Sequence, residues 1–129
     1  MRGTTLDAGA LIALESGSPY MRELVRVALA ERAPLAVPAG VLAQVWRASA
    51  RQARLARLLG SPLVEVVPLD RSFALAVGKL CAETGVRDVV DVSVVVCARQ
   101  RGHSVVTSDP EDLSRIDPEL RLFDPLTGR

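Results

Sequence analysis

Residues 87–112 read RDVVDVSVVVCARQRGHSVVTSDPED and hold most of the chain's candidate chemistry. Asp88 and Asp91 stand at the head of an apolar run, Val92–Ala98, that reads as a buried helix. A polar turn at Arg101–His103 leads into a β-branched stretch, Ser104–Thr107, which reads as a strand and closes on Ser108 and Asp109. Acids therefore sit at a helix start and at a strand end. The first strand-like run of the chain, Thr4–Leu6, also closes on an acid, Asp7, and a helix follows at once. In a parallel sheet such strand ends share one edge, and ligands of open α/β sheets bind in the crevice there. Acids distant in sequence are thus expected to converge on a metal ion.

Outward from this stretch, strands and helices alternate. Ala8–Glu15 reads as a helix that ends in the turn Ser16–Pro19, and Met21, Leu24, Val25, Ala28 and Leu29 mark one buried face of a second, over Tyr20–Glu31. Leu35–Val37 is a brief apolar strand, and Pro38 suits the first turn of the next helix. That helix is expected to bury Val41, Leu42, Val45 and Trp46 and to run on to Gly60-Ser61-Pro62. Leu63–Val67 gives a third strand. Asp70 is placed to cap a helix over Arg71–Glu83, whose core stripe is Phe73, Ala76 or Val77, Leu80 and Cys81. Leu120–Phe123 is expected as a last edge strand. The alternation predicts an α/β fold with a central, mostly parallel sheet of four to five strands covered on both faces.

A chain of 129 residues, 49% hydrophobic, fits one domain over 1–129. A net charge of +1 gives no global attraction for nucleic acid, so any such binding must come from local patches. Lys79 is the only lysine among sixteen basic residues, and arginine favours bidentate contacts to phosphate and carboxylate. Cys81 and Cys97 fall inside apolar helical patterns and read as reduced core thiols. With no leader-like segment and no uninterrupted apolar run of about 18 residues, a soluble cytoplasmic protein is expected. Aromatics make up 3% of the chain, which argues against a stacking platform for single strands. The absence of G-x-G-x-x-G and P-loop patterns disfavours the usual nucleotide-binding enzymes.

Each acid has a structural reading as well as a chemical one. Asp88 and Asp109 stand where helix caps belong, Asp91 and Asp112 in the third helical position, and Asp7 before a short helix. Convergence is a different matter from capping. Three carboxylates about 5 Å apart, at an effective dielectric near 20, repel by roughly 3 kcal/mol per pair. A hard divalent cation offsets that repulsion, and Mg²⁺ or Mn²⁺ suits an open aspartate site better than Zn²⁺ does. The sole histidine, His103, is expected at the surface of its turn, so it supports no zinc site. The hydroxyls of Thr107 and Ser108 adjoin Asp109 and either hold a metal-bound water or satisfy the turn.

The segments TLDAGALIALE, VPAGVLAQVWR, DVVDVSVVVCARQRG and VVTSDPEDL, in this order and spacing, resemble the PIN domain, specifically the VapC-like toxin ribonucleases of bacterial toxin–antitoxin pairs. The resemblance spans nearly the whole chain and implies a three-layer α/β/α sandwich with an acidic pocket that binds Mg²⁺ or Mn²⁺ and hydrolyses RNA. It assigns Asp7, Asp91 and Asp109 as catalytic, metal-binding acids, with Asp88 and Asp112 as neighbours of the site. It also implies a homodimer and a VapB-like antitoxin whose tail covers the pocket. One position departs from the pattern. Gln44 stands where the family usually has glutamate, which removes a charge that would attract the cation and predicts a weaker enzyme with a more stable metal-free form.

Arg47, Arg51 and Arg54 recur at i, i+4 and i+7 and, on one continuous helix, would line a single stripe. Such a stripe suits RNA phosphates or an acidic antitoxin segment, against the plainer alternative of a solvated face. A phosphoacceptor receiver domain also gathers acids at strand ends, but it needs a nearby lysine, and Lys79 sits inside an amphipathic helix. The remaining rival is a catalytically impaired PIN-like module that acts by binding RNA or an antitoxin.

Overall fold

A computed structural model describes residues 3–129. Its elements alternate as β1 (Thr4–Leu6), α1 (Ala8–Glu15), α2 (Pro19–Ala30), β2 (Leu35–Pro38), α3 (Ala39–Val45), α4 (Ala53–Leu59), β3 (Val64–Val67), α5 (Arg71–Thr84), α6 (Val89–Arg101), β4 (Ser104–Val106), α7 (Pro110–Ile116) and β5 (Leu122–Phe123). All strand pairs are parallel, in the order β3-β2-β1-β4-β5. The chain lays down β1, β2 and β3 in one direction, then returns to place β4 on the other side of β1. That reversal makes the gap between β1 and β4 the topological switch point, where open α/β sheets form their crevice. Among the described residues no helix is long and apolar enough to cross a membrane.

Right-handed crossovers put α1 to α4 on one face of the sheet and α5 to α7 on the other. Accordingly α1 packs against α2, α3 and α4, while α6 packs against α5 and α7 and lies across β1, β2 and β4. The helix α6 is the buried element of its layer, with every residue from Val92 to Ala98 inside. Valine is a poor helix former because its branched side chain loses freedom against the preceding turn. Burial on three sides overrides that preference, and α6 is one of the two longest helices of the described chain.

The largest departure from the expected elements lies after Val45. Instead of running on to Gly60, the helix stops: Trp46 is extended, Ala48 takes a left-handed φ of 53°, and a 3-10 turn at Ala50–Gln52 leads into α4. The cause is the buried side chain of Gln52. Its Nε2 donates to the Val45 carbonyl at 2.8 Å and to Glu15 Oε2 at 3.1 Å, and its Oε1 accepts from the Arg47 backbone N–H at 2.9 Å. A single amide thus satisfies backbone groups left open at the break. Trp46, expected in the core, is 37% exposed.

Candidate active site

Asp7 follows β1 directly and is almost completely buried. Its Oδ1 accepts from the Ala8 N–H at 2.7 Å and so caps α1, while its Oδ2 accepts from Thr107 Oγ1 at 2.8 Å. Thr107, just beyond β4, takes the Asp109 backbone N–H onto the same oxygen at 2.9 Å. One hydroxyl therefore joins the two strand ends that flank the switch point. Burial raises the Asp7 pKa; the bonds from Thr107 and Ala8 oppose this, and the charges of Asp109 and Asp88 add to it.

From the other layer, α6 brings its N-terminus to the same edge. Asp88 caps it by accepting from the Asp91 N–H at 3.0 Å. The Asp91 carboxyl takes no hydrogen bond among the described residues, and its pKa is pushed up to about 6, first by burial and then by Asp88, Asp7, Asp112 and Asp109. Five carboxylates from two strand ends and two helix starts thus act on one another. Asp88 has the capping role read from the sequence; Asp109 does not, because its side chain makes no cap bond. Asp112 lies within 3.6 Å of Arg115 on α7, a partly neutralised rim position.

The α1 start and the Ser108 turn meet closely enough to dictate a residue. A Cβ on Gly9 would come within 2.1 Å of Ser108 Oγ, so only glycine lets that hydroxyl rest over the first turn of α1. Ser108 itself is exposed. Gln44 is exposed too, one turn beyond Gly40, whose Cβ position faces a Val90 methyl at 3.4 Å. It therefore shares the side of α3 that leans on the start of α6.

The donor set at this edge is entirely carboxylate and hydroxyl oxygen, which suits a hard cation. Among the described residues no three His, Cys, Asp or Glu side chains stand close enough to enclose an ion by themselves.

The arginines and the histidine fall elsewhere than expected. Because the helix breaks at Trp46, Arg47, Arg51 and Arg54 do not form one stripe. Arg47 turns back to donate to the Ala43 and Trp46 carbonyls at the end of α3, a capping contact. Arg51 and Arg54 instead join Arg22, Arg26 and Arg57 along a cleft of about 710 Å³ between α2 and α4, whose floor is Leu14, Val25 and Leu58. Arg22 and Arg26 were not visible as part of this set, since the break that sets α4 across the cleft from α2 depends on Gln52. His103, expected at the surface, is buried and bonds Thr5 Oγ1 through Nδ1 at 3.0 Å. Its place at the start of β4 keeps it away from the acids, which lie past the strand ends.

Comparison with known proteins gives one consistent answer. Among curated proteins no sequence matches the chain. Solved structures do: VapBC2 from Rickettsia felis bound to a DNA fragment from their promoter is similar with a TM-score of 0.72 at 18% identity, over 96% of this chain and 98% of that one. DNA-bound VapBC from Salmonella typhimurium is similar at 0.70 and 24% identity, over 97% and 99%. A toxin–antitoxin complex from Klebsiella pneumoniae is similar at 0.68 and 18%, over 95% and 98%. These likenesses establish a common fold. A family model described as PIN domain matches residues 4–118, and with most of its length so matched, the chain belongs to the PIN-domain family.

Proposed function

We propose that this protein is a metal-dependent endoribonuclease of the VapC toxin type, with its active site at the β1–β4 switch point. The observation that carries the reading is the convergence of acids at this edge: Thr107 joins the Asp7 carboxylate to the turn of Asp109, and burial, followed by the charges of Asp88, Asp7, Asp112 and Asp109, pushes the Asp91 pKa up to about 6. Like-charged groups at one sheet edge destabilise the metal-free chain, and perturbed carboxylates of this kind mark functional sites more often than structural ones. Asp7, Asp91 and Asp109 would together hold a largely hydrated Mg²⁺ or Mn²⁺, since they do not enclose an ion by themselves, and the ion would polarise the phosphate and lower the pKa of a coordinated water. Thr107 keeps the Asp7 carboxylate facing the crevice and fixes the turn that carries Asp109. Asp91, as a carboxylate at the same edge, is suited to accept a proton from the attacking water.

RNA cleavage that requires Mn²⁺ or Mg²⁺, stops on chelation and is lost in Asp91→Asn is the expected result. Undiminished cleavage by Asp91→Asn, or in chelator, removes the proposal. A second reading is kept alive by Gln44, a neutral residue on the side of α3 that leans on the α6 start: a PIN-like module with impaired catalysis that acts by binding RNA or an antitoxin. Metal binding without cleavage by the purified protein selects that reading.

The partner reading also follows from charge. The α2–α4 cleft combines arginines along its rim with an apolar floor, which suits an acidic amphipathic antitoxin segment better than RNA, whose backbone offers nothing to the leucines. The family resemblance adds a homodimer to this reading. The similar structures are two VapBC complexes and a toxin–antitoxin complex, which supports a VapB-like antitoxin here. Arg51→Glu is expected to weaken binding of the cognate antitoxin and to reduce its salt dependence, and unchanged affinity would leave the cleft as a solvated face.

A further inference from the structure

The helices α1 to α4 serve the crossovers among β1, β2 and β3, so that face of β4 and β5 has no helix of its own. A cavity of about 580 Å³ lies there, running from Gly3 and Ser104 at the strand starts along β4 and β5 to Val106 and Phe123, within the size range of small-molecule sites. Its walls gather an uneven share of the chain's rare residues. The protein has four aromatic residues, and two of them, Tyr20 and Phe123, line this cavity together with the only histidine.

The polar groups are those of a site that takes an anion. Arg121 lies over the Phe123 ring at 5.9 Å from its centroid and forms no ion pair among the described residues. Arg99 is held from one side by Asp117, Nε to Oδ2 at 2.8 Å, which fixes the guanidinium while its other nitrogens stay available. His103 is 9% exposed, its Nδ1 is engaged by Thr5, and its Nε2 has no hydrogen-bond partner among the described residues. Gly3 packs directly on that nitrogen: a Cβ there would lie 2.5 Å from Nε2, so only glycine leaves the imidazole where it is. Glu119 is the one carboxylate on the cavity wall, which gives the site an acceptor beside its cations.

We propose that this cavity is a second binding site, for a nucleoside monophosphate unit, with Tyr20 and Phe123 against the base and Arg99, Arg121 and His103 Nε2 toward the phosphate. Aromatic and guanidinium faces accept bases without reading sequence, and paired arginines suit a phosphate. Four aromatics are too few to form a track along a strand of RNA, but two suffice for one base. None of the acids of the switch-point edge lines the cavity, and the site does not depend on whether the protein cleaves RNA. Its occupant is either a free nucleotide or the phosphorylated terminal nucleotide of an RNA.

The test is calorimetric titration of the full chain with AMP, GMP, adenosine and inorganic phosphate, in chelator so that the acidic edge holds no ion. Expected is saturable binding of AMP or GMP, at least tenfold tighter than of adenosine or phosphate alone. Arg121→Glu, an exposed residue whose replacement leaves the fold intact, is expected to weaken it at least tenfold, whereas Arg51→Glu in the other cleft leaves it unchanged. Displacement of AMP by a 5′-phosphorylated pentaribonucleotide identifies the RNA terminus as occupant; no displacement identifies the free nucleotide. Absence of AMP and GMP binding, equal binding of inorganic phosphate, or unchanged affinity in Arg121→Glu overturns the proposal.

Discussion

Thr5 and Asp7 are two residues apart and share one face of β1, yet the polar groups around them are organised in opposite ways. Around Thr5 the hydroxyl is shared between Cys97 Sγ at 3.5 Å and His103 Nδ1 at 3.0 Å, and burial holds the imidazole neutral by lowering its pKa. Every member of that group is uncharged, and the Thr5 hydroxyl, the Cys97 thiol and His103 Nδ1 satisfy one another. Around Asp7 the hydroxyl of Thr107 satisfies one carboxylate, but four further acids face it or Asp91 with no cation among the described side chains to balance them at the centre. The first arrangement stabilises a strand. The second costs stability, and a fold retains such a cost where a ligand of opposite charge returns it.

The sharpest way to break this contrast is Asp91→Asn. At the acidic edge, loss of a group proposed to move a proton should lower RNA cleavage by about 10²-fold or more. The same substitution removes a repelled charge, so the metal-free protein should melt at a higher temperature than the wild type. Opposite signs in the two measurements separate a functional acid from a structural one; a variant that loses both activity and stability would make Asp91 a scaffold residue.

Matched threonine substitutions come next. Thr107→Val deletes the donor to Asp7 and the acceptor for the Asp109 N–H, and leaving such buried groups unpaired costs about 1–3 kcal/mol. Thr5→Val removes a hydroxyl between a thiol and an imidazole and should cost a similar amount. Denaturant unfolding is expected to show comparable losses, but only Thr107→Val should also weaken Mn²⁺ binding, because Asp7 then loses the bond that orients it. Equal metal affinity in the two variants would mean that Thr107 merely closes a turn.

These two regions were unequally legible in the sequence. Asp7, Asp88, Asp91, Asp109 and Thr107 could be placed because strand ends and helix starts are local signals, and the parallel topology then brings them to one edge. The network around Thr5 could not, since His103 follows a glycine in a polar turn and nothing nearby in sequence shows that Gly3 and Thr5 will cover it. The arginine stripe failed for a related reason. The pattern from Arg47 to Arg54 fits a helix by period, and only the long-range bonds of Gln52 to Glu15 and Val45 show why the chain breaks there. Side-chain hydrogen bonds between distant segments override periodicity without leaving a periodic trace.

A smaller effect is expected at Gln44. Gln44→Glu adds a charge without changing shape, so Mn²⁺ should bind more tightly and cleavage should rise. The metal-free form should become slightly less stable, because the new carboxylate joins the repelled set. Titration and melting measured together decide the matter: identical values for both forms would place Gln44 outside the field of the acids.

The smallest expected effect is a pH dependence in which the two regions oppose each other. The Asp91 pKa lies at about 6, above the ordinary aspartate value, so the folded chain binds its proton more readily than the unfolded chain does. Its stabilising effect is fully present below the ordinary value and is lost as pH rises through about 6. The His103 pKa is lowered, so its effect runs the other way: present above the ordinary histidine value and lost as pH falls through the folded one. Between pH 7 and 5 the two slopes offset each other in the wild type measured in chelator. Removing one should uncover the other, so Asp91→Asn is expected to lose melting temperature more steeply on acidification than the wild type does. Asp91 is only partly buried and its interactions are screened by solvent, which limits the difference to a few degrees and makes low salt the condition in which to look for it. Parallel profiles for the two proteins would show that neither burial nor the neighbouring charges raise the Asp91 pKa, and the distinction between the two ends of β1 would then rest on hydrogen bonding alone.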